Sequence, residues 1–242
     1  MQNKQLKILS TARLQPSLKK LAEENNIMLD DFAFIEIRPK HDDIILINTD
    51  QYGKHSTIIF TSVQAVEALT NAVDHTGTRW RIGCTEGPTM NMVQSKFPNS
   101  HIFAHAPNAK QLAEKIIALN TEKHVAFFCG NRRRDELPSL LRQNNIEVDE
   151  VILYDTDLTP VAVEKNYDAI LFFSPSGVES FFSVNKIEEQ TVLFAIGNTT
   201  ATEIKKFSNN KLIISEAPSK EAVLKKAIEF FGNRESAIVN NL

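Results

Sequence analysis

Hydroxyl-bearing residues and glycines recur where apolar runs give out. Ile58-Ile59-Phe60 stops at Thr61-Ser62, Ile170-Leu171-Phe172-Phe173 at Ser174-Pro175-Ser176-Gly177, and Val192-Leu193-Phe194-Ala195-Ile196 at Gly197-Asn198-Thr199-Thr200. Ser and Thr hydroxyls, with the backbone N–H groups beside them, donate hydrogen bonds to carboxylates or phosphates without carrying charge. The same residue types cap helix N-termini, so each one taken singly also has a purely structural reading. Arg13, in Thr11-Ala12-Arg13, suits either a carboxylate ligand or a surface acid. Tyr154 is a phenol donor or a packed linker tyrosine, and Arg132-Arg133-Arg134 is a solvated helix start or part of a grip on a polyanion.

Other chemistries find little support. The sequence has no G-x-G-x-x-G after its first strand and no P-loop lysine, and Gly83-Cys84-Thr85-Glu86-Gly87 resembles a phosphate loop only in holding two glycines. No nucleophile elbow occurs. His101 and His105 are four apart, a spacing that serves a metal on a helix but not at a strand end. The expectation is a site without cofactor or metal. Cys84 and Cys129, at the ends of predicted strands, read as reduced core thiols before they read as a disulfide or a nucleophile.

Composition sets the outer limits. Of 242 residues, 42% are hydrophobic and 24% charged, and the net charge of −3 gives no global attraction to nucleic acid or acidic membranes. Any anion site must be local. No apolar run approaches a membrane span and the N-terminus lacks a long apolar segment, so the protein is expected in the cytoplasm. Without a coiled-coil seam or a long apolar stripe, a monomer is expected.

The elements that hold these residues alternate. A strand at Lys7–Ser10 precedes a helix from about Leu14 to Asn25, and Phe32–Pro39 alternates like a strand. Helix Ile44–Thr49, strand Thr57–Phe60, helix Ser62–Val73, strand Arg79–Cys84 and helix Thr89–Ser95 follow. After them come strand His101–Ala104, helix Asn108–Leu119, strand His124–Cys129 and helix Arg134–Asn144. Glu147–Thr156 is strand-like. The last third gives strands Ala169–Phe173, Val192–Ile196 and Lys211–Ile214, each followed by a helix (Gly177–Val184, Thr200–Phe207, Lys220–Phe231), and a tail from Gly232 expected to fray. This pattern predicts an α/β protein of two doubly wound parallel-sheet lobes, flavodoxin- or Rossmann-like, joined by a two-stranded β-ladder. The last lobe is one unit short, and the N-terminal strand and helix supply it. The predicted division is therefore 1–31 with 157–242 as one discontinuous domain, 43–146 as an inserted second, and 32–42 with 147–156 as linker strands. A repeat supports two domains: Ser62 pairs with Ser174 at a separation of 112 residues, Gly83 with Gly197 at 114, and Ala106-Pro107 with Ala217-Pro218 at 111.

Taken in order, Phe60-Thr61-Ser62-x-x-Ala65-Val66, Gly130-Asn131-Arg132-Arg133-Arg134-Asp135-x-Leu137, Tyr154 with Thr156, Phe173-Ser174-Pro175-Ser176-Gly177-Val178 and Ala195-Ile196-Gly197-x-Thr199-Thr200-Ala201 resemble the uroporphyrinogen-III synthase family. The resemblance spans nearly the whole chain. It implies two α/β lobes on a β-ladder and a lyase that cyclises hydroxymethylbilane to uroporphyrinogen III in the interdomain cleft. Water is lost, the last pyrrole ring is inverted through a spiro intermediate, and no cofactor takes part. It also implies catalytic roles for Tyr154, which assists departure of the hydroxyl, and for Thr200. Substrate-lining roles fall to Thr61, Ser62, Gly83, Ser174, Pro175, Ser176, Gly177, Gly197, Thr199 and Arg13. The partner implied is the polycarboxylate hydroxymethylbilane, with a transient hand-over from the preceding enzyme. Two departures stand out: Ala12 separates the family's Thr-Arg pair, and the turn 83–89 is long. A non-enzymatic bilobal module for a small polyanion is the alternative, and a nucleotide-using enzyme a third reading that the missing phosphate motifs weigh against.

Overall fold

A computed structural model describes residues 5–41, 52–53, 56–72 and 77–239; the expected helix Ile44–Thr49 lies outside them. The chain divides into two compact units, Met1–Glu36 with Asp157–Leu242 (unit 1) and Ile37–Thr156 (unit 2).

Unit 1 holds β1 (Leu6–Ser10), α1 (Pro16–Glu24) and β2 (Ile27–Asp31). β3 (Ile35–Pro39) leads into unit 2, which continues with β4 (Thr57–Phe60), α2 (Val63–Ala72), β5 (Arg81–Thr85), α3 (Pro88–Lys96), β6 (His101–Ala106), α4 (Ala109–Leu119), β7 (His124–Gly130) and α5 (Glu136–Gln143). β8 (Glu147–Leu158) returns to unit 1, completed by β9 (Ala169–Phe172), α6 (Pro175–Phe182), β10 (Val192–Ala195), α7 (Asn198–Ile204), β11 (Leu212–Ile214) and α8 (Lys220–Val239).

Each sheet is covered on both faces, which is why its central strands are almost wholly apolar. Along β4 the side chains alternate: Ile58 and Phe60 enter a core with Trp80, Phe97 and Phe128 under α2 and α3, while Ile59 enters another with Phe127, Leu112 and Leu141 under α4 and α5. Unit 1 repeats this. Leu9, Phe172 and Phe181 pack under α6 and α7, and Ile8, Leu171, Phe194 and Leu224 under α1 and α8.

The strand orders are β2-β1-β9-β10-β11 in unit 1 and β3-β8-β7-β4-β5-β6 in unit 2. Apart from β3 the two layouts are the same with the chain cut at different points. β9–β11 take the places of β4–β6, and β1–β2 those of β7–β8. The N-terminal strand thus sits inside the sheet of unit 1, between β2 and β9, as its missing piece. The expected two-stranded ladder is β3 beside β8, continuous with the sheet of unit 2.

Three local expectations are corrected. β2 was not foreseen: Ile27-Met28-Leu29 pairs in parallel with β1 before the alternating stretch begins. α8 does not end at Phe231 but runs to Val239. The pairing of Gly83 with Gly197 also fails, because Phe60 lies opposite Cys84 and Phe172 opposite Ala195. Gly83 therefore lies inside β5, whereas Gly197 is the N-cap of α7. The residue in the equivalent place is Gly87, N-cap of α3, whose φ of 77° favours glycine.

Candidate active site

In an open α/β sheet the place where successive strands diverge to opposite sides leaves a crevice at the carboxyl ends, and ligands bind there. In unit 2 it lies between β4 and β7, whose helices α2 and α5 cover opposite faces. Thr61 and Ser62 follow β4, and Asn131 follows β7. Tyr154 arrives from β8, and its hydroxyl donates to Ser62 Oγ at 3.0 Å.

A backbone irregularity aims that phenol. Cys129 pairs with Ile152 but Gly130 with Tyr154, so Leu153 is the extra residue of a bulge. Strict alternation would send Leu153 and Tyr154 to opposite faces, yet both lie against the core under α2 and α3. The ring lies on Gly130, where a Cβ would be 2.4 Å from its Cζ. Asn131 fixes the strand on either side, its N–H donating to Tyr154 O at 3.1 Å and its Oδ1 accepting from Thr156 N at 2.9 Å. Burial raises the Tyr154 pKa against the pull of the Ser62 bond, so the phenol keeps its proton.

In unit 1 the equivalent place lies between β1 and β9. Ser174 caps α6, its Oγ accepting from Gly177 N at 3.0 Å, and Pro175 occupies the first turn, where no N–H is needed. Ser62 does the same for α2, accepting from Ala65 N at 3.2 Å. The two serines paired by the repeat are thus both helix caps. Capping uses only an acceptor lone pair and leaves each hydroxyl proton to donate. With Tyr154 as a second donor, Ser62 has both lone pairs engaged.

Thr61, Ser176, Thr199 and Thr200 make no side-chain hydrogen bond among the described residues. They are the uncommitted donors of the set. Thr200 is otherwise packed away at 2% exposure, and Gly197 precedes it without a side-chain cap. Thr11 is committed, donating to Leu171 O at 2.9 Å, and with Ser174 Oγ it flanks Gly177, where a Cβ would lie 3.2 Å from that oxygen.

Arg13 faces a protein acid. Its guanidinium bonds the carbonyl and carboxylate of Asp31, which also accepts from Leu14 N at 2.8 Å and Lys19 Nζ at 2.9 Å. Arg133 is likewise engaged by Glu150 and Asp135. Gly83 is enclosed by Ile116, Phe103 and Ile59, away from any loop. Cys84 and Cys129 are free and buried, their pKa values pushed up by burial to about 11 and about 12, so neither is a thiolate at neutral pH. His105 pairs with Glu86 at 2.8 Å, and among the described residues no group of three His, Cys, Asp or Glu converges for a metal. No described helix is long and apolar enough to cross a membrane. Gly130 and Asn131, which place the phenol, were not among the expected site residues. The signal for Gly130 was a glycine closing a seven-residue strand that is otherwise buried past its first residue.

Two parallel-sheet units with neutral hydroxyls at their strand ends, one of them holding a protonated phenol, describe a two-unit α/β protein. The sequence profile of the family described as uroporphyrinogen-III synthase HemD matches residues 17–225. The chain belongs to this uroporphyrinogen-III synthase family, cyclising lyases of tetrapyrrole and heme biosynthesis, and the reading as a non-enzymatic binding module is not favoured. Among solved structures, the uroporphyrinogen-III synthetase of Helicobacter pylori is 17% identical with a TM-score of 0.63, over 93% of this chain and 99% of that one. The wild-type synthase of Thermus thermophilus is 15% identical with a TM-score of 0.55, and a mutant form of it 12% identical with a TM-score of 0.66; each covers 95% of this chain and 99% of its own. At these identities the likeness bears on fold alone. No curated protein sequence matches the chain.

Proposed function

We propose that Tyr154 assists departure of the hydroxyl from hydroxymethylbilane, while the uncommitted hydroxyls and loop N–H groups hold its carboxylates. The observation that carries this is the Tyr154–Ser62 hydrogen bond above Gly130: a neutral phenol, fixed in direction and linked to a second hydroxyl that can turn. The electron-rich pyrrole pushes out the hydroxymethyl oxygen as the C–O bond breaks, and that oxygen needs a hydrogen bond or proton to leave as water. Tyr154 supplies it, and Ser62, turning its own proton onto the phenol oxygen, stabilises the charge that develops there. No strong acid is required, because the reaction mainly asks that the chain be folded for the correct ring closure.

Thr200 stands with Tyr154 as the second catalytic candidate. Thr61, Ser62, Ser174, Pro175, Ser176, Gly177, Gly197 and Thr199 form the carboxylate-holding loops. Arg13, anchored to Asp31 through one guanidinium nitrogen, lines the loop with its remaining donors, and Gly87 takes the loop place once expected for Gly83. The protein acts as a cytoplasmic monomer, and a substrate that otherwise cyclises spontaneously supports its receiving hydroxymethylbilane directly from the preceding enzyme.

Tyr154→Phe tests the assignment. It should lower kcat about 10- to 100-fold with little change in KM, because it removes an interaction made chiefly in the transition state. Unchanged turnover would remove Tyr154 from the mechanism.

A further inference from the structure

The cation expected to meet substrate in unit 1 is Arg13, and it is occupied. Asp31 holds it through one guanidinium nitrogen and also pairs with Lys19, so both cations already have a carboxylate beside them. Another cation stands over the same strand ends. Lys220 opens α8, and its ammonium donates to the carbonyl of Arg13 at 2.8 Å while lying 5.9 Å from the centre of the Phe173 ring. Arg13 belongs to the loop after β1 and Phe173 to the loop after β9, immediately before Ser174. Lys220 therefore bridges the two loops that flank the point where the strands diverge.

We propose that Lys220 is a substrate-binding residue of unit 1, whose ammonium receives one carboxylate side chain of the tetrapyrrole. This rests on the reading of the strand ends as the substrate site. An ammonium has three donors, and the Arg13 carbonyl takes one of them. No carboxylate forms an ion pair with Lys220 among the described residues, whereas Lys225 and Lys226 on the same helix are paired with Glu221 and with Glu216 and Glu229. Lys220 is exposed as a residue, and partial burial of its ammonium lowers its pKa from the ordinary lysine value against the opposing field of Asp31, leaving it without a close counter-ion. A bound carboxylate provides that counter-ion. The donors of unit 1 thus combine neutral hydroxyls for geometry with one charge for affinity.

The test is anaerobic titration of uroporphyrinogen III, the product, beside steady-state kinetics with hydroxymethylbilane, on wild type, Lys220→Ala, Lys220→Arg and Lys225→Ala. Lys220→Ala should weaken product binding and raise KM about tenfold, the scale of one charge-assisted hydrogen bond, with kcat changed less than about twofold. Lys220→Arg should restore most of the loss, and Lys225→Ala should match wild type. Equal product binding by Lys220→Ala and wild type would overturn the proposal. So would a fall in kcat alone. A wild type that binds product but makes no type III isomer would instead sink the reading of the strand ends as a catalytic site, leaving the binding comparison to judge Lys220. A wild type that binds no product would remove both.

Discussion

Laid over one another by strand order, the two units share a scaffold and differ in what they mount on it. β1 beside β2 and β7 beside β8 occupy equivalent places. Register puts Asp31 opposite Ser10 in one pair and Glu150 opposite Phe127 in the other, which are matching positions. Both acids do the same work. Asp31 ties Arg13 of the preceding loop to Lys19 of the helix, and Glu150 ties Arg133 of the preceding loop to Arg142 of the helix. Beyond this clamp the units part. Unit 2 continues through a bulge to Tyr154 on Ser62, whereas unit 1 presents hydroxyls and Lys220. Arg13 and Arg133, ligand candidates in the sequence, belong to the common frame, and the proposed chemistry falls to what is not repeated.

The largest expected effect comes from the close approach found only in unit 2. Gly130→Ala places a methyl inside the Tyr154 ring and should cost at least about 100-fold in kcat by displacing the phenol. Gly177→Ala, whose methyl would lie 3.2 Å from the Ser174 hydroxyl and in ordinary contact with that of Thr11, should change kcat by less than about threefold. Equal losses would mean that the Gly130 contact is ordinary packing.

Next come the two clamps. Burial works to raise the pKa of Asp31 and of Glu150, but hydrogen bonds from Leu14, Lys19 and Arg13 in one, and from Arg142 and Arg133 in the other, outweigh it and hold both below the ordinary carboxylate range. Their stabilisation is therefore present above that range and lost as pH falls through the folded-state pKa. Asp31→Asn and Glu150→Gln should each cost about 2 kcal/mol at neutral pH and flatten the acid limb of stability. Hydrogen exchange should locate each loss in its own unit. An unchanged acid limb in both variants would refute the clamp.

The smallest effects come from the caps. Ser62→Ala and Ser174→Ala should each cost about 1 kcal/mol. Kinetics should separate them: Ser62→Ala should lower kcat by loosening Tyr154, and Ser174→Ala should mainly raise KM. Matching profiles would erase the distinction between the units at this position.

Much of this was legible in the sequence for definite reasons. Apolar runs ending in Ser or Thr gave both caps, and the spacing from Ser62 to Ser174 gave two equivalent sheets, because these features are local. What escaped depends on pairing across the chain. Gly83 looked like a loop glycine until the partner of Cys84 was known. Tyr154 was named from a resemblance, but its aim depends on one unpaired residue, Leu153, which periodicity cannot reveal. Ile27–Asp31 went unseen as a strand because it is short, follows Asn25-Asn26 and ends in two acids. Arg13 appeared available because its acid lies 18 residues away.

The most direct test feeds freshly generated hydroxymethylbilane to the purified protein, oxidises the products and separates the type III isomer from the type I isomer that forms spontaneously. Protein-dependent excess of type III is the predicted result. Type I alone, from a folded protein, would contradict the assigned reaction.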